Sequence, residues 1–508
     1  MHLVDITMFY AAEGGGVSTY LNAKARWLAR HGGVRHSILS PNIRGGGGGG
    51  GDGRIGIAAV ALPGMHGYRM PLSVAGPARQ LRGLRPDLVE VGDAGHCAWA
   101  ALRARDAVGM PVVAFYHSDL PRLMQRRFGL VASRGAGRYL ARLYKQFDLV
   151  LAPSRLMVQR LAEIGIDNAI HQPLGIDAGV FYPGGGGAAL RKTLGIGADA
   201  RLLVYAGRFT AEKKLGLLVD AVRMLGKPYH LLLIGGGAEV ARHAGITRMP
   251  FCRDQRLLAR LLSGCDVLVH PGDCETFGLI VLEAMACGLP VVATGGAVTE
   301  LVDERCGVLV RPDSAASLAE GIAAIYQADR SALGAAASRR ARLHYDWNQV
   351  TPQLLRRYAA LLGRAGRGGA GLHGLWDAAA ADESAAQFAG GRALGHLGGA
   401  CADSEPGPGP GSWPDPESAP ALSLAPFVWR TDAPARGAAA AGHAAAASAT
   451  SSATASATAS ATSSATSSAT ASATASATSS AASAAASAAE SSTASSAHQP
   501  PILTRRLA

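Results

Sequence analysis

The chain has 508 residues, 49 of them Lys or Arg against 37 Asp or Glu, a net charge of +12, and seven cysteines. That length can hold two or three domains, each with its own core, and the basic balance suits nucleic acid, an anionic membrane surface or a phosphorylated ligand without choosing among them. The odd cysteine count, with no C-x-x-C pair, argues against a disulfide framework or a cysteine zinc site and fits reduced, mostly buried thiols in the cytoplasm.

The opening MHLVDITMFYAAEGGGVSTYL passes from a strand-length apolar segment straight into a glycine turn with no basic leader, so it does not read as a signal peptide. No apolar run reaches the roughly 18 residues that a membrane-spanning helix needs, and a soluble or peripheral protein is expected. The glycine run Gly45 to Gly51 lies between HSILS and IGIAAVAL; no helix-forming segment follows it, so it predicts a flexible insertion and not a phosphate site. Short apolar runs then alternate with amphipathic stretches: DLVEV before AWAALRARDA, PVVAFYH before a helix, LVLAPS before LMVQRLAEIG. After GIDAGVFYPGG the alternation restarts with LLVYAGR, LGLLVDAVRML, YHLLLIGGG, QRLLARLLSG, DVLVHPG, GLIVLEAMACG and PVVAT.

This rhythm predicts an α/β chain of two doubly wound, Rossmann-like parallel-sheet domains facing a cleft, over residues 1–178 and 179–345. A terminal helix over 346–365 is expected to return to the first domain. Residues 366–508, with SEPGPGPGSWPDPESAP and a long Ser/Ala/Thr tract, carry almost no large apolar side chains and are expected to be disordered.

Within HPGDCETFGLIVLEAMACGLPVVA, DVLVH reads as a buried strand ending at a loop, PGDCET, and FGLIVLEAMA as a helix closed by Gly288 and Pro290. Glu275 is thereby placed at the carboxyl end of the sheet beside a helix N-terminus, where free N–H groups near Phe277, Gly278 and Leu279 favour phosphate oxygens. Glu283 follows eight residues later on an otherwise apolar helix. A carboxylate there needs a partner, such as the hydroxyls of a ribose. The alternative is that Glu275 caps the helix and Glu283 meets a buried arginine. In VYAGRFTAEKKL, Arg208 and Lys213 fall on the loop after the first strand of the second half, and two cations at that rim form a clamp for a diphosphate. Lys214 is expected at the surface.

Together GRFTAEKKL, LLLIGGG and ETFGLIVLE, with GGGVSTYL and FYHSDLP, resemble the retaining GT-B glycosyltransferases, the large group that includes bacterial α-mannosyltransferases, over about residues 1–362. The resemblance implies a metal-independent retaining hexosyltransferase. Arg208 and Lys213 would hold the donor diphosphate, Glu283 the ribose, Glu275 the transferred sugar, and the amides of Phe277, Gly278 and Leu279 both sugar and phosphate. Gly15 and Gly16 would let the N-terminal loop approach the donor, and His117, with Asp119 a weaker candidate, would reach the reacting sugar. Where this family often has E-K-G, the chain reads Glu212, Lys213, Lys214.

No cofactor is implied beyond the donor substrate, GDP-mannose or a UDP-sugar, and HPGDCETFGL is similar to GDP-mannose-dependent enzymes. No carboxylate nucleophile stands out for a double displacement, so the resemblance implies front-face attack by a glycan or lipid-linked acceptor. Arg134, Arg138, Arg142 and Lys145 share one helix face beside Tyr139, Leu140, Leu143 and Phe147, which suggests docking to an anionic membrane from the cytoplasmic side. The rival readings are a nucleotide-sugar epimerase of the same architecture and a basic nucleic-acid binder or scaffold; sparse aromatics, 6% of residues, weaken the latter, and no nucleic-acid partner is expected.

Overall fold

Every residue of the first strand, β1 (His2–Ile6), is buried. Both faces of its sheet are covered, so that Leu3 packs into one core while Val4 and Ile6 pack into another. The computed structural model describes residues 1–10, 14–43, 53–61, 68–366 and 430–431, all within the unit Met1–Arg436. The glycine run and, apart from Gly366, Arg430 and Thr431, the tail expected to be disordered lie outside the described residues.

The first half continues with α1 (Gly16–His31), β2 (Arg35–Ser40), β3 (Arg54–Gly56), a small antiparallel pair β4 (Ala59–Ala61) and β5 (Arg69–Pro71), α2 (Ala75–Leu84), β6 (Leu88–Val91), α3 (His96–Val108), β7 (Val112–Phe115), α4 (Leu120–Tyr144), β8 (Leu149–Ala152), α5 (Arg155–Glu163) and β9 (Ala169–His171). Its parallel sheet runs β3-β2-β1-β6-β7-β8-β9. Sequence periodicity passes over α2, because Gly76 and Pro77 punctuate it; Pro77 falls in the first turn, where its missing N–H costs nothing.

The second half has α6 (Gly187–Leu194), β10 (Arg201–Phe209), α7 (Leu215–Leu225), β11 (Tyr229–Gly237), β12 (Ile246–Met249), α8 (Gln255–Ser263), β13 (Val267–His270), α9 (Leu279–Ala286), β14 (Val291–Ala293), β15 (Gly307–Leu309), α10 (Ala315–Gln327) and α11 (Arg330–Tyr345). Its sheet order is β15-β14-β13-β10-β11-β12, with β16 (Arg430–Thr431) antiparallel on the outer edge. Along β10, Leu202 and Val204 face α9 and α11, while Leu203 faces α7 and α10. In each sheet the order reverses at one point, between β1 and β6 and between β10 and β13, and the crevice beyond the carboxyl ends at such a point is where open α/β sheets bind ligands.

The last helix, α12 (Trp347–Arg364), crosses back and packs on α1. Its anchor is a buried polar cluster. Lys24 Nζ lies 2.8 Å from Asp5 and 3.3 Å from Glu90, His36 also bonds Asp5, and the hydroxyls of Tyr20 and Tyr358 both donate to Glu90. Burial pushes the Glu90 carboxyl up, to about 7, although Lys24 opposes the shift. A second tie joins the halves: Glu300 accepts the backbone N–H groups of Arg155 and Leu156, at 2.9 and 2.7 Å, and so covers the N-terminus of α5 from across the interface. Among the described residues no helix is long and apolar enough to cross a membrane.

Candidate active site

The strand β13 ends at His270, and the next residues, Pro271 to Gly278, form the loop that leads into α9. Gly278 is the N-cap of α9; its backbone is left-handed (φ 104°) and no side chain caps the helix. Thus Glu275 is not the cap. Val281 N–H in the first turn bonds the Gly278 carbonyl at 3.0 Å, which leaves the N–H groups of Leu279 and Ile280 at the uncapped start of this apolar, mostly buried helix, an arrangement that favours an anion.

Glu275 is instead held from the side. Lys213 forms an ion pair with it, and His270 Nε2 donates to the same oxygen at 3.0 Å. Burial alone would raise its pKa, but Lys213 and His270 outweigh that and hold the carboxyl well below the usual carboxylate range. Lys213 is the last residue of a short 3-10 turn, Ala211–Lys213. Arg208 does not lie on a loop, as the sequence suggests: β10 extends through Phe209, and Arg208 pairs with Gly236 of β11. Its side chain is exposed at the end of the strand with no partner among the described residues, and its carbonyl accepts from Tyr205 at 3.1 Å.

Lys214 is a correction. It is not a surface lysine: its Nζ pairs with Asp273 at 2.9 Å and Asp313 at 2.8 Å. Its backbone is left-handed (φ 51°), the conformation a glycine would adopt without strain, so this chain keeps the turn of the E-K-G pattern and adds a side-chain anchor.

Glu283 is buried on α9 and meets no arginine; its carboxyl has no partner among the described residues, and burial pushes it up to about 8. An unpaired buried carboxyl is costly unless a ligand satisfies it. From the first domain, Gly15 (φ 130°) caps α1, and a Cβ on Gly16 would stand 3.5 Å from the Leu279 side chain, so this glycine turn lies against the start of α9. His117 follows β7 and stacks on Phe115, with ring centroids 4.3 Å apart. Its Nε2 is buried without a partner, and burial lowers its pKa to about 3, so the ring is neutral. Its carbonyl accepts from the Thr276 hydroxyl at 3.0 Å, across the cleft. Asp119 plays a structural part: it caps α4, accepts from Tyr116 and pairs with Arg160.

The structure therefore pairs Lys213 with Glu275 on the loop that leads into α9, with Gly16 of the other domain against Leu279 and the backbone carbonyl of His117 bonded to Thr276, while the His117 ring itself packs on Phe115 and Tyr20. Sequence reasoning missed His270, Asp273, Thr276 and two arginines at the start of α4, Arg122 and Arg126, that pair with Asp273. Of these, His270 had a visible signal, a histidine ending a buried strand directly before the glutamate loop.

Two doubly wound parallel-sheet domains facing such a cleft define the GT-B fold. Residues 200–328 match the family described as "Glycosyl transferases group 1", and residues 14–180 match "Glycosyltransferase Family 4". The chain is 32% identical over 303 residues to a GDP-mannose-dependent alpha-mannosyltransferase of Mycolicibacterium smegmatis, covering 58% of this chain and 80% of that one. It is 29% identical over 386 residues to a GDP-mannose-dependent alpha-(1-6)-phosphatidylinositol dimannoside mannosyltransferase of Mycobacterium tuberculosis, covering 71% and 97%. Among solved structures, a sucrose-phosphate synthase from Thermosynechococcus elongatus superposes with a TM-score of 0.61 at 22% identity, covering 72% of this chain and all of that one. The chain belongs to the group 1 glycosyltransferases. The epimerase and nucleic-acid readings find no support in these relatives.

Proposed function

We propose that this glycosyltransferase moves mannose from GDP-mannose to a glycan or lipid-linked acceptor, with retention of configuration and without a metal. The observation that carries the reading is Glu283: a buried carboxyl, unpartnered among the described residues, on the helix whose uncapped N-terminus follows the loop of Glu275, the partner of Lys213. A nucleoside diphosphate supplies both missing partners, ribose hydroxyls for the carboxyl and phosphate oxygens for the N–H groups and cations. The names of the relatives support mannose and GDP.

As the bond from sugar to diphosphate breaks, negative charge grows on the leaving phosphate, where Lys213, Arg208 and the α9 N-terminus stabilise it more in the transition state than before it. This positive charge takes the role that a divalent ion has elsewhere. Glu275 positions the sugar, and His117, neutral, offers a hydrogen bond rather than a charge. The acceptor attacks from the same face as the departing diphosphate. Thermal stabilisation by GDP, UDP and ADP tests the donor, since a ligand at a hundred times its Kd adds about 2.7 kcal/mol. NMR of the product anomer and a rate unchanged by EDTA test retention and metal independence.

Docking to an anionic membrane belongs to the same reading, at a different place on α4 from the one the sequence suggests. Leu140, Leu143 and Phe147 are buried in the core, which leaves only Tyr139 exposed beside Arg134, Arg138, Arg142 and Lys145. At Gly129 the helix is interrupted (φ 81°), and Phe128, Leu130 and Val131 around the break are 61%, 60% and 83% exposed beside Arg127 and Arg134. Exposed apolar side chains flanked by cations fit an anionic bilayer surface. Liposome flotation that depends on anionic lipid and is lost in Phe128→Ser/Val131→Ser supports this; binding indifferent to lipid charge ends it.

A further inference from the structure

Two residues before Glu275, one carboxylate collects cations from both domains. Lys214 Nζ lies 2.9 Å from Asp273 Oδ1, Arg122 Nη2 lies 3.0 Å from Oδ2, and Arg126 Nη1 lies 3.5 Å from Oδ1. Arg122 and Arg126 come from the start of α4 in the first domain; Lys214 directly follows Lys213 in the second. Gly296 packs closely on the Asp273 backbone, where a Cβ would stand 2.5 Å from the Asp273 carbonyl oxygen. On the other side of Glu275, Thr276 donates to the His117 carbonyl. Glu275 thus sits between two bonds that cross the cleft. A single exposed ion pair contributes little, but here three cations share one carboxylate whose side chain is only 14% exposed.

We propose that Asp273 is a positioning residue that couples approach of the two domains to the seating of the Lys213 clamp. The proposal rests on the glycosyl-transfer reading of the cleft and adds how its geometry is regulated. With the domains together, Arg122 and Arg126 neutralise Asp273 from one side while it holds Lys214 from the other. The left-handed backbone of Lys214 then fixes the turn that presents Lys213 to Glu275. With the domains apart, Asp273 keeps only Lys214 of its three cations, the link between Thr276 and His117 opens, and the two halves of the site lose their register. Donor clamping and acceptor-side alignment therefore share one charge.

The test uses the full chain and reads two things. Hydrogen exchange without nucleotide is compared for wild type, Asp273→Asn, Arg122→Gln and Asp273→Glu. Asp273→Asn should speed exchange by about fivefold or more both at the start of α4 and in the turn over 211–217, Arg122→Gln should do the same, and Asp273→Glu, which keeps the charge, should stay near wild type. Faster exchange in one segment alone, or in neither, overturns the coupling. With GDP-mannose, Asp273→Asn should lower kcat about tenfold or more with donor KM within about threefold. A lower melting temperature with kcat unchanged would mean a structural role only and would also overturn it. Failure of GDP to stabilise the protein strikes the donor reading alone, because the exchange comparison needs no nucleotide.

Discussion

Lys213 forms an ion pair with Glu275, so the side chain assigned to the donor diphosphate and the one assigned to the transferred sugar neutralise each other before the donor arrives. A diphosphate entering the cleft must take Lys213 over from Glu275. Lys213→Ala should therefore lower kcat by about a hundredfold and weaken donor binding as well. Glu275→Gln should lower kcat by a similar factor while donor KM stays the same or falls, since Lys213 is released for the phosphates. Steady-state kinetics on variants whose melting curves match wild type checks both. Near-normal transfer in both variants would remove the mechanism.

Glu283→Gln should raise donor KM with little change in kcat, because a ribose contact is equally strong in ground and transition states. The same variant has a pH signature without ligand. Burial pushes the folded carboxyl up to about 8 from its ordinary value of 4.5, so between those values the native state holds a proton the unfolded chain has lost. Stability then falls as pH rises from about 4.5 to 8 and levels off above. Glu283→Gln should remove that loss and melt several degrees higher than wild type at pH 8.5, with the gap closing toward pH 4.5.

His117 gives the opposite sign. Its pKa is lowered to about 3 by burial, so its neutral form is favoured by folding; that contribution is complete above the ordinary value of 6.5 and is lost as pH falls toward 3. Between pH 5 and 8 the kcat profile should therefore show no step from this imidazole. His117→Ala should lower kcat about tenfold or more without adding one.

Lys24→Met should leave Asp5 and Glu90 buried without their shared cation, and should cost about 3–5 kcal/mol in a denaturant titration. Cutting the chain before Trp347 should be as damaging, since it removes Tyr358 from the same cluster. A chain ending at Arg367 keeps α12 and loses a segment too poor in large apolar residues to build a core, so fold and turnover should survive. Loss of turnover in that folded protein would place the boundary wrongly.

Local pattern by itself determined the α/β class, the alternation of strands and helices in two halves, and the segments that carry Glu275, Glu283, Lys213 and Arg208. Apolar runs of strand length, glycine and proline stops and a carboxylate in an apolar helix are short-range signals, read within a dozen residues. What tertiary structure alone decided involves partners far apart in the chain. Lys214 leaves the surface because Asp273 and Asp313 meet it, the carboxylate of Asp119 is taken up by Arg160 as well as by its own helix, and Glu283 has no partner among the described residues. Leu140, Leu143 and Phe147, beside the basic face of α4, turn inward because a core is there to receive them. A side chain's charge and size are written in the sequence, but its burial and its counter-charge are set only when distant segments pack, and these settle whether it binds, braces or faces water.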